Sequence, residues 1–389
     1  MIKIIDKAKC CGCSACLQRC PKSCIELKED NEGFLYPHVN ESKCIKCGLC
    51  IKVCPILNTQ NTKKPQKVYA AINPNKNEVL KSSSGGIFIA LAKYIINRKG
   101  VVFGTVWNKN WEAEITSATN LQELPPMMGS KYVQSHVGVS YQQVECLLKE
   151  NRLVLYTGTP CQIAGLKHFL KKDYDNLLTL DFICHGVPSP GIWRKYKKES
   201  IENLKNALSI EEIYFRDKMS GWKKYSFVVK GKSIPKIDQT AILLSDKHYK
   251  NPYMLGFLFN IYLRPSCYSC CCKQGRSGSD ITVADFWGID KVIPQFANSD
   301  GVSAVLINTD KGNHFFHFLN LNTIESTIND VSKFNNGYSE TIAIPYCRKE
   351  FYNKIQQGLL SVKQVVLELI HVPFHKRAVN KILRLLKIK

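Results

Sequence analysis

From residue 68 onward, short β-branched runs alternate with stretches whose apolar positions recur at helical spacing. Residues 68–72 read as a strand. Apolar positions at Ile87, Ala90, Leu91, Tyr94 and Ile95 predict a helix, opened by the serine-glycine run 82–86 and stopped by Gly100. Strands are expected at 101–106, 153–157 and 177–183. The second of these leads into a helix over 160–170 with proline at its favoured first position. The third leads into a helix over about 190–204. The stretch 210–245 predicts a β-hairpin insertion, and 280–286 and 302–308 predict two late strands. Strand–helix alternation of this kind predicts an α/β domain with a mainly parallel sheet. At the end, 372–389 reads as a basic amphipathic helix packed on its own domain with a solvated face. Contact with an anionic membrane surface is the alternative.

Residues 1–56 follow another rule. They are dense in cysteine and end in a polar segment, 57–67, that carries Pro65 and reads as a linker. Cys10, Cys13, Cys16 and Cys20-Pro21 keep the spacing C-x2-C-x2-C-x3-C-P, and Cys44, Cys47, Cys50 and Cys54-Pro55 repeat it. Three thiolates in series wrap one corner of a 4Fe–4S cubane, and the fourth of each run ligates the other cluster. One cluster is thus expected on Cys10, Cys13, Cys16 and Cys54, the second on Cys44, Cys47, Cys50 and Cys20. Zinc sites use paired C-x2-C knuckles instead. The region resembles the two-cluster bacterial ferredoxins, which implies an α+β ferredoxin-like module. Cys11 and Cys24 fall outside the ligand register and read as buried fillers.

The chain holds 18 cysteines in 389 residues. Their metal-ligand spacing, with no secretion signal visible at the N-terminus, points to a reducing, cytoplasmic setting. No apolar run reaches the length of a membrane span. Cys161 and Cys184 each follow a predicted parallel strand, at the strand ends where ligands gather in such folds. With the C-x2-C pair Cys267 and Cys270 they make four ligands for a third 4Fe–4S cluster. Cys271 or Cys272 can replace Cys270 in that set. Cys146 and Cys347 read as structural. The formal charge of +22 suits acidic partners, nucleotides, nucleic acid or anionic lipid alike. The reading takes a redox partner protein and no nucleic acid.

Ser83, Ser84, Gly85 and Gly86 at a helix start offer a phosphate seat. Thr157, Gly158 and Thr159 offer a second such turn, and Lys131 adds a cation beside Ser130 and Tyr132. No G-x-G-x-x-G follows a strand. Residues 68–310 resemble the beta-subunit family of coenzyme F420 hydrogenases and dehydrogenases. The motifs are Ser83-Ser84-Gly85-Gly86, Gly129-Ser130-Lys131-Tyr132, Gly158 to Leu166, Cys184 to Ser189, and Ala284-Asp285-Phe286-Trp287-Gly288. Alanine at 284 departs from the glycine common in that family. The resemblance implies FAD beside an iron–sulfur cluster and hydride exchange with coenzyme F420 or another small organic acceptor or donor. A flavin exchanges one or two electrons and so joins cluster chemistry to hydride chemistry. Lys131 is expected to stabilise negative charge on reduced flavin, and His185 and Asp285 to relay protons. An electron-transfer subunit feeding a partner enzyme is the alternative. The expected units are 1–56, the linker 57–67, 68–145, 146–345 and a helical tail, 346–389.

Overall fold

The computed structural model describes residues 1–204, 207–234 and 239–370. The basic segment 372–389 lies outside them.

The first unit is small. Two four-residue helices, Ala15–Gln18 and Leu49–Lys52, carry the ends of the two cysteine runs. Between them β1 (Ile25–Glu29) pairs antiparallel with β2 (Leu35–Val39). The linker then crosses the large domain, where the Lys63 N–H donates to the Gln274 carbonyl (3.0 Å) and the Gln66 N–H to Ile307 (2.7 Å).

The large domain adds β3 (Lys67–Ile72), β4 (Val101–Trp107), β5 (Ala113–Ala118), β6 (Val154–Thr157) and β7 (Leu177–Phe182). Next come β8 (Ala207–Asp217), β9 (Ser226–Ser233), β10 (Ala241–Lys247), β11 (Ile281–Asp285), β12 (Ser303–Ile307) and β13 (Asn322–Ser326). Eight of these form one sheet in the order β13-β3-β12-β11-β7-β6-β4-β5. Its centre, β11-β7-β6-β4, is parallel, and the flanking ladders on both sides are antiparallel. The domain is therefore mixed α/β with a parallel middle.

Side chains alternate across this sheet as a two-residue period requires. Val102 and Leu155 face the helix Ile87–Asn97 with Leu91 and Ile95. Val101, Phe103, Val154 and Tyr156 face the other way, onto Tyr141, Ile163 and Phe169. That second face also takes Cys13, Ala15 and Val53 from the N-terminal unit, so the two units share one core.

The expected hairpin insertion is a three-stranded antiparallel sheet, β10-β9-β8. The extra strand, β8, has a polar first half with irregular register, which hid it from a pattern search. The helix after β7 is α only over Pro190–Tyr196 and widens into a π-turn over Lys197–Ile201. Cys347 is buried, but Cys146 is exposed on the helix Ser140–Lys149 and packs nothing. Among the described residues no helix is long and apolar enough to cross a membrane.

Candidate iron–sulfur and flavin site

Three cavities are lined by cysteine. The tip cavity, about 20 Å³, takes Cys20, Cys44, Cys47 and Cys50. The junction cavity, about 150 Å³, takes Cys10, Cys13, Cys16 and Cys54. Each holds three cysteines of one run and the fourth of the other. The short helices produce this exchange: each closes its own loop and aims its last cysteine away from it. Ser14 and Gly48, in left-handed conformation, begin these helices. The Ile2 N–H donates to Cys50 Sγ (3.2 Å).

The sheet cavity, about 60 Å³, lies at the carboxyl ends of β6 and β7. It is lined by Cys161, Cys184, Cys267 and Cys270, and also by Cys271 and Cys272. Cys161 sits in the first turn of the helix Pro160–Leu170, started by a capping box between Thr159 and Gln162. Cys184 follows β7 directly. Lys273 Nζ donates to the Cys184 carbonyl (2.7 Å) and to that of Gly337 (2.6 Å), fixing the 267–273 loop against the strand end. Cys11 lines both the junction and the sheet cavity. Cys24 lines the tip cavity, its Sγ 3.3 Å from that of Cys20. Both are buried as expected of fillers, yet both reach the cavity walls.

Among the described residues no three His, Cys, Asp or Glu side chains converge as for a single metal ion. A cubane is larger than an ion and takes its thiolates at separate corners. Burial pushes the Cys16 and Cys267 thiols up to about 12 and Cys270 to about 11. Such thiols keep their protons until a metal displaces them. The donor sets of the tip and junction cavities thus fit 4Fe–4S clusters.

Residues singled out for a flavin gather elsewhere. Ser83 Oγ meets Ser130 Oγ (2.8 Å) and accepts from the Ser130 N–H (2.8 Å). The half-buried Lys131 donates to the Met128 and Gly129 carbonyls, and burial lowers its ammonium pKa to about 7. Tyr132 stacks on Phe257 (4.5 Å), which meets the His185 ring edge-on (5.0 Å). His185 also lines the sheet cavity, and its Nε2 bonds Asn260 Oδ1 (2.6 Å). Asp285 is held by Arg216 Nη1 (2.6 Å), Arg216 Nη2 (3.1 Å) and Trp222 Nε1 (2.7 Å). Arg216 lies over Tyr225 and Trp287, and its buried Nε has no partner among the described residues. Sequence reading missed Arg216, which has no local pattern around it. Thr157, Gly158 and Thr159 stand apart from this group: Thr157 Oγ1 donates to Phe103 and Thr159 caps its helix.

Residues 151–328 match the family model for the C terminus of the coenzyme F420 hydrogenase/dehydrogenase beta subunit. Residues 9–57 and 43–88 each match a model of a 4Fe–4S dicluster domain. No curated protein matches the chain. Among solved structures, a chain of the F420-reducing [NiFe] hydrogenase complex from Methanosarcina barkeri aligns at 17% identity and a TM-score of 0.44. The alignment covers 76% of this chain and 92% of that one.

Proposed function

We infer that this chain, whose residues 151–328 match the model for the C terminus of the coenzyme F420 hydrogenase/dehydrogenase beta subunit and whose residues 9–57 match a 4Fe–4S dicluster model, is an oxidoreductase relay from surface to sheet. The observation that carries it is the succession of three cysteine-lined cavities, the last two sharing Cys11 as a wall. In this reading Cys20, Cys44, Cys47 and Cys50 hold one 4Fe–4S cluster, and Cys10, Cys13, Cys16 and Cys54 a second. Cys161, Cys184, Cys267 and Cys270 hold a third. Electrons enter or leave at the tip, where Cys47 is exposed to a redox partner.

The finer reading adds FAD and hydride exchange with coenzyme F420 or another organic acceptor. The clusters supply one-electron steps and the flavin supplies the two-electron one. The unpartnered Nε of Arg216, beside Tyr132 and Trp287, supports a ligand with acceptor atoms there. Lys131, with its pKa near neutrality, holds or releases a proton at Nζ. His185 Nε2, steered by Asn260, holds one at the mouth of the sheet cavity. Asp285 has both oxygens engaged by Arg216 and Trp222, so it positions Arg216 instead of moving protons.

The second reading, an electron-transfer subunit without its own organic substrate, draws on one observation. The Ser82 and Ser84 hydroxyls already donate to the Glu78 and Val302 carbonyls, so the expected phosphate seat is partly spent on the fold. Anaerobic purification decides. Two clusters give about eight irons per chain and three give about twelve. Acid-released flavin and turnover of organic acceptors support the oxidoreductase. Iron without flavin or turnover supports the relay subunit, and colourless, iron-free protein rejects both.

A further inference from the structure

Arg264 lies in the loop three residues before Cys267 and is 1% exposed. Its guanidinium spans the seam between the two units. Nε donates to the Cys10 carbonyl (2.7 Å), Nη2 to the Leu35 carbonyl (2.9 Å) and Nη1 to Gln134 Oε1 (2.9 Å). Nη2 also reaches Cys10 Sγ at 3.5 Å. The plane lies over the Tyr36 ring, 4.4 Å from its centroid. All the oxygen acceptors are neutral, and among the described residues no carboxylate accepts from it. A guanidinium cannot shed its proton, and a buried charge without an anion is strongly destabilising. Cys10 Sγ is the sulfur within reach, and it is anionic once it ligates a cluster.

We propose that Arg264 is the counter-charge of the centre held in the junction cavity and raises that centre's reduction potential. The inference rests on the cluster reading above. Net charge, hydrogen bonds to sulfur and solvent exposure set cluster potentials. Reduction adds one electron and one negative charge to the centre, no proton moves, and the guanidinium stays protonated. On the large-domain side the junction cavity is lined by the buried apolar side chains of Val137 and Pro190, which oppose that extra charge. Arg264 offsets them with a fixed cation and an N–H aimed at sulfur. The tip cavity has no such device: Lys22 and Lys46 line it, and both are exposed and hydrated. Arg264 therefore acts on one centre of the pair. It keeps the buried one within reach of electrons arriving from the exposed one, on the way to the cavity behind Cys267.

The test uses the full chain, isolated anaerobically, with midpoint potentials read by EPR-monitored redox titration. In Arg264→Gln, one midpoint falls by at least a tenfold change in the reduction equilibrium, 59 mV for one electron, while iron content and the remaining midpoints hold. Arg264→Lys retains most of the wild-type potential. Gln134→Glu places a carboxylate on Nη1 and lowers the same midpoint with the guanidinium in place, which covers a failure of the first variant to fold. Full iron with every midpoint unmoved in Arg264→Gln or, if that variant does not fold, in Gln134→Glu, overturns the proposal, as does an equal shift of all of them. Wild-type protein without iron overturns the cluster reading itself, and the proposal with it.

Discussion

Gly165 shows how closely single atoms set the junction cavity. A Cβ at this position would lie 2.8 Å from Cys13 Cβ, 3.0 Å from Cys13 Sγ and 3.0 Å from the Tyr141 hydroxyl. Tyr141 is pinned by its own bond to the Gln162 carbonyl (2.7 Å), so Cys13 is the group that must move. Overpacking of this kind costs about 1–3 kcal/mol, and here the strain falls on a ligand. Gly165→Ala is expected to lose about one cubane's worth of iron while far-ultraviolet dichroism stays at the wild-type level. Unchanged iron would show that Cys13 has slack. At this scale the sequence is readable where chemistry is local. Three cysteines two residues apart announce a cluster, whatever the rest of the chain does. Arg264, Arg216 and the double contact of Cys11 are not readable, because each gains its meaning from residues far away along the chain.

Elements obey the same division. The central strands β4, β6 and β7 are apolar runs, buried along most of their length, and their pattern predicts them directly. The edge strands β5 and β13 are not evident: Ala-Glu-Ile-Thr-Ser-Ala and Asn-Thr-Ile-Glu-Ser carry too few apolar positions to stand out from loop. Contacts between elements are hidden still further. The turn between β1 and β2 carries Gly33 at φ +81°, and it packs backbone to backbone on Gly191 in the first turn of the helix Pro190–Tyr196. A Cβ on Gly191 would stand 2.7 Å from Gly33 Cα, and one on Gly33 would stand 2.4 Å from Gly191 Cα. Beside this contact Glu32 takes both Arg348 Nη1 (2.7 Å) and Nη2 (2.5 Å). Gly191→Ala is expected to lower unfolding stability by about 1–3 kcal/mol and to speed proteolysis in the 57–67 linker as the N-terminal unit lifts away. Wild-type cleavage rates in the variant would count against a docked unit.

Across the whole molecule the three cavities run from an exposed tip, through the seam, to the strand ends of the sheet. A third centre in the sheet cavity, as proposed above, would share the Cys11 wall with the junction centre and is expected to sense it magnetically. The fully reduced protein is therefore expected to show a broadened, interacting EPR spectrum. Cys267→Ala combined with Cys270→Ala should remove about four irons and leave a simpler spectrum from the dicluster unit. No iron lost after Cys161→Ala and Cys184→Ala are added to that double variant would exclude a centre in the sheet cavity. The sequence could propose four cysteines there, but not that six would line the wall, since adjacent Cys270, Cys271 and Cys272 are equivalent until the fold turns them.

The shared core imposes an order on biogenesis. The junction cavity has one wall from the cysteine loop and another from Gln134 to Gly138, Pro190 and Arg264. Once these close, the loop of residues 10–16 is sealed beneath the large domain. The proposed junction cluster is therefore expected to be built before the two units close on each other, and empty folded protein to take up iron slowly. A chain that docks empty has locked its own door, and its rescue requires the seam to reopen.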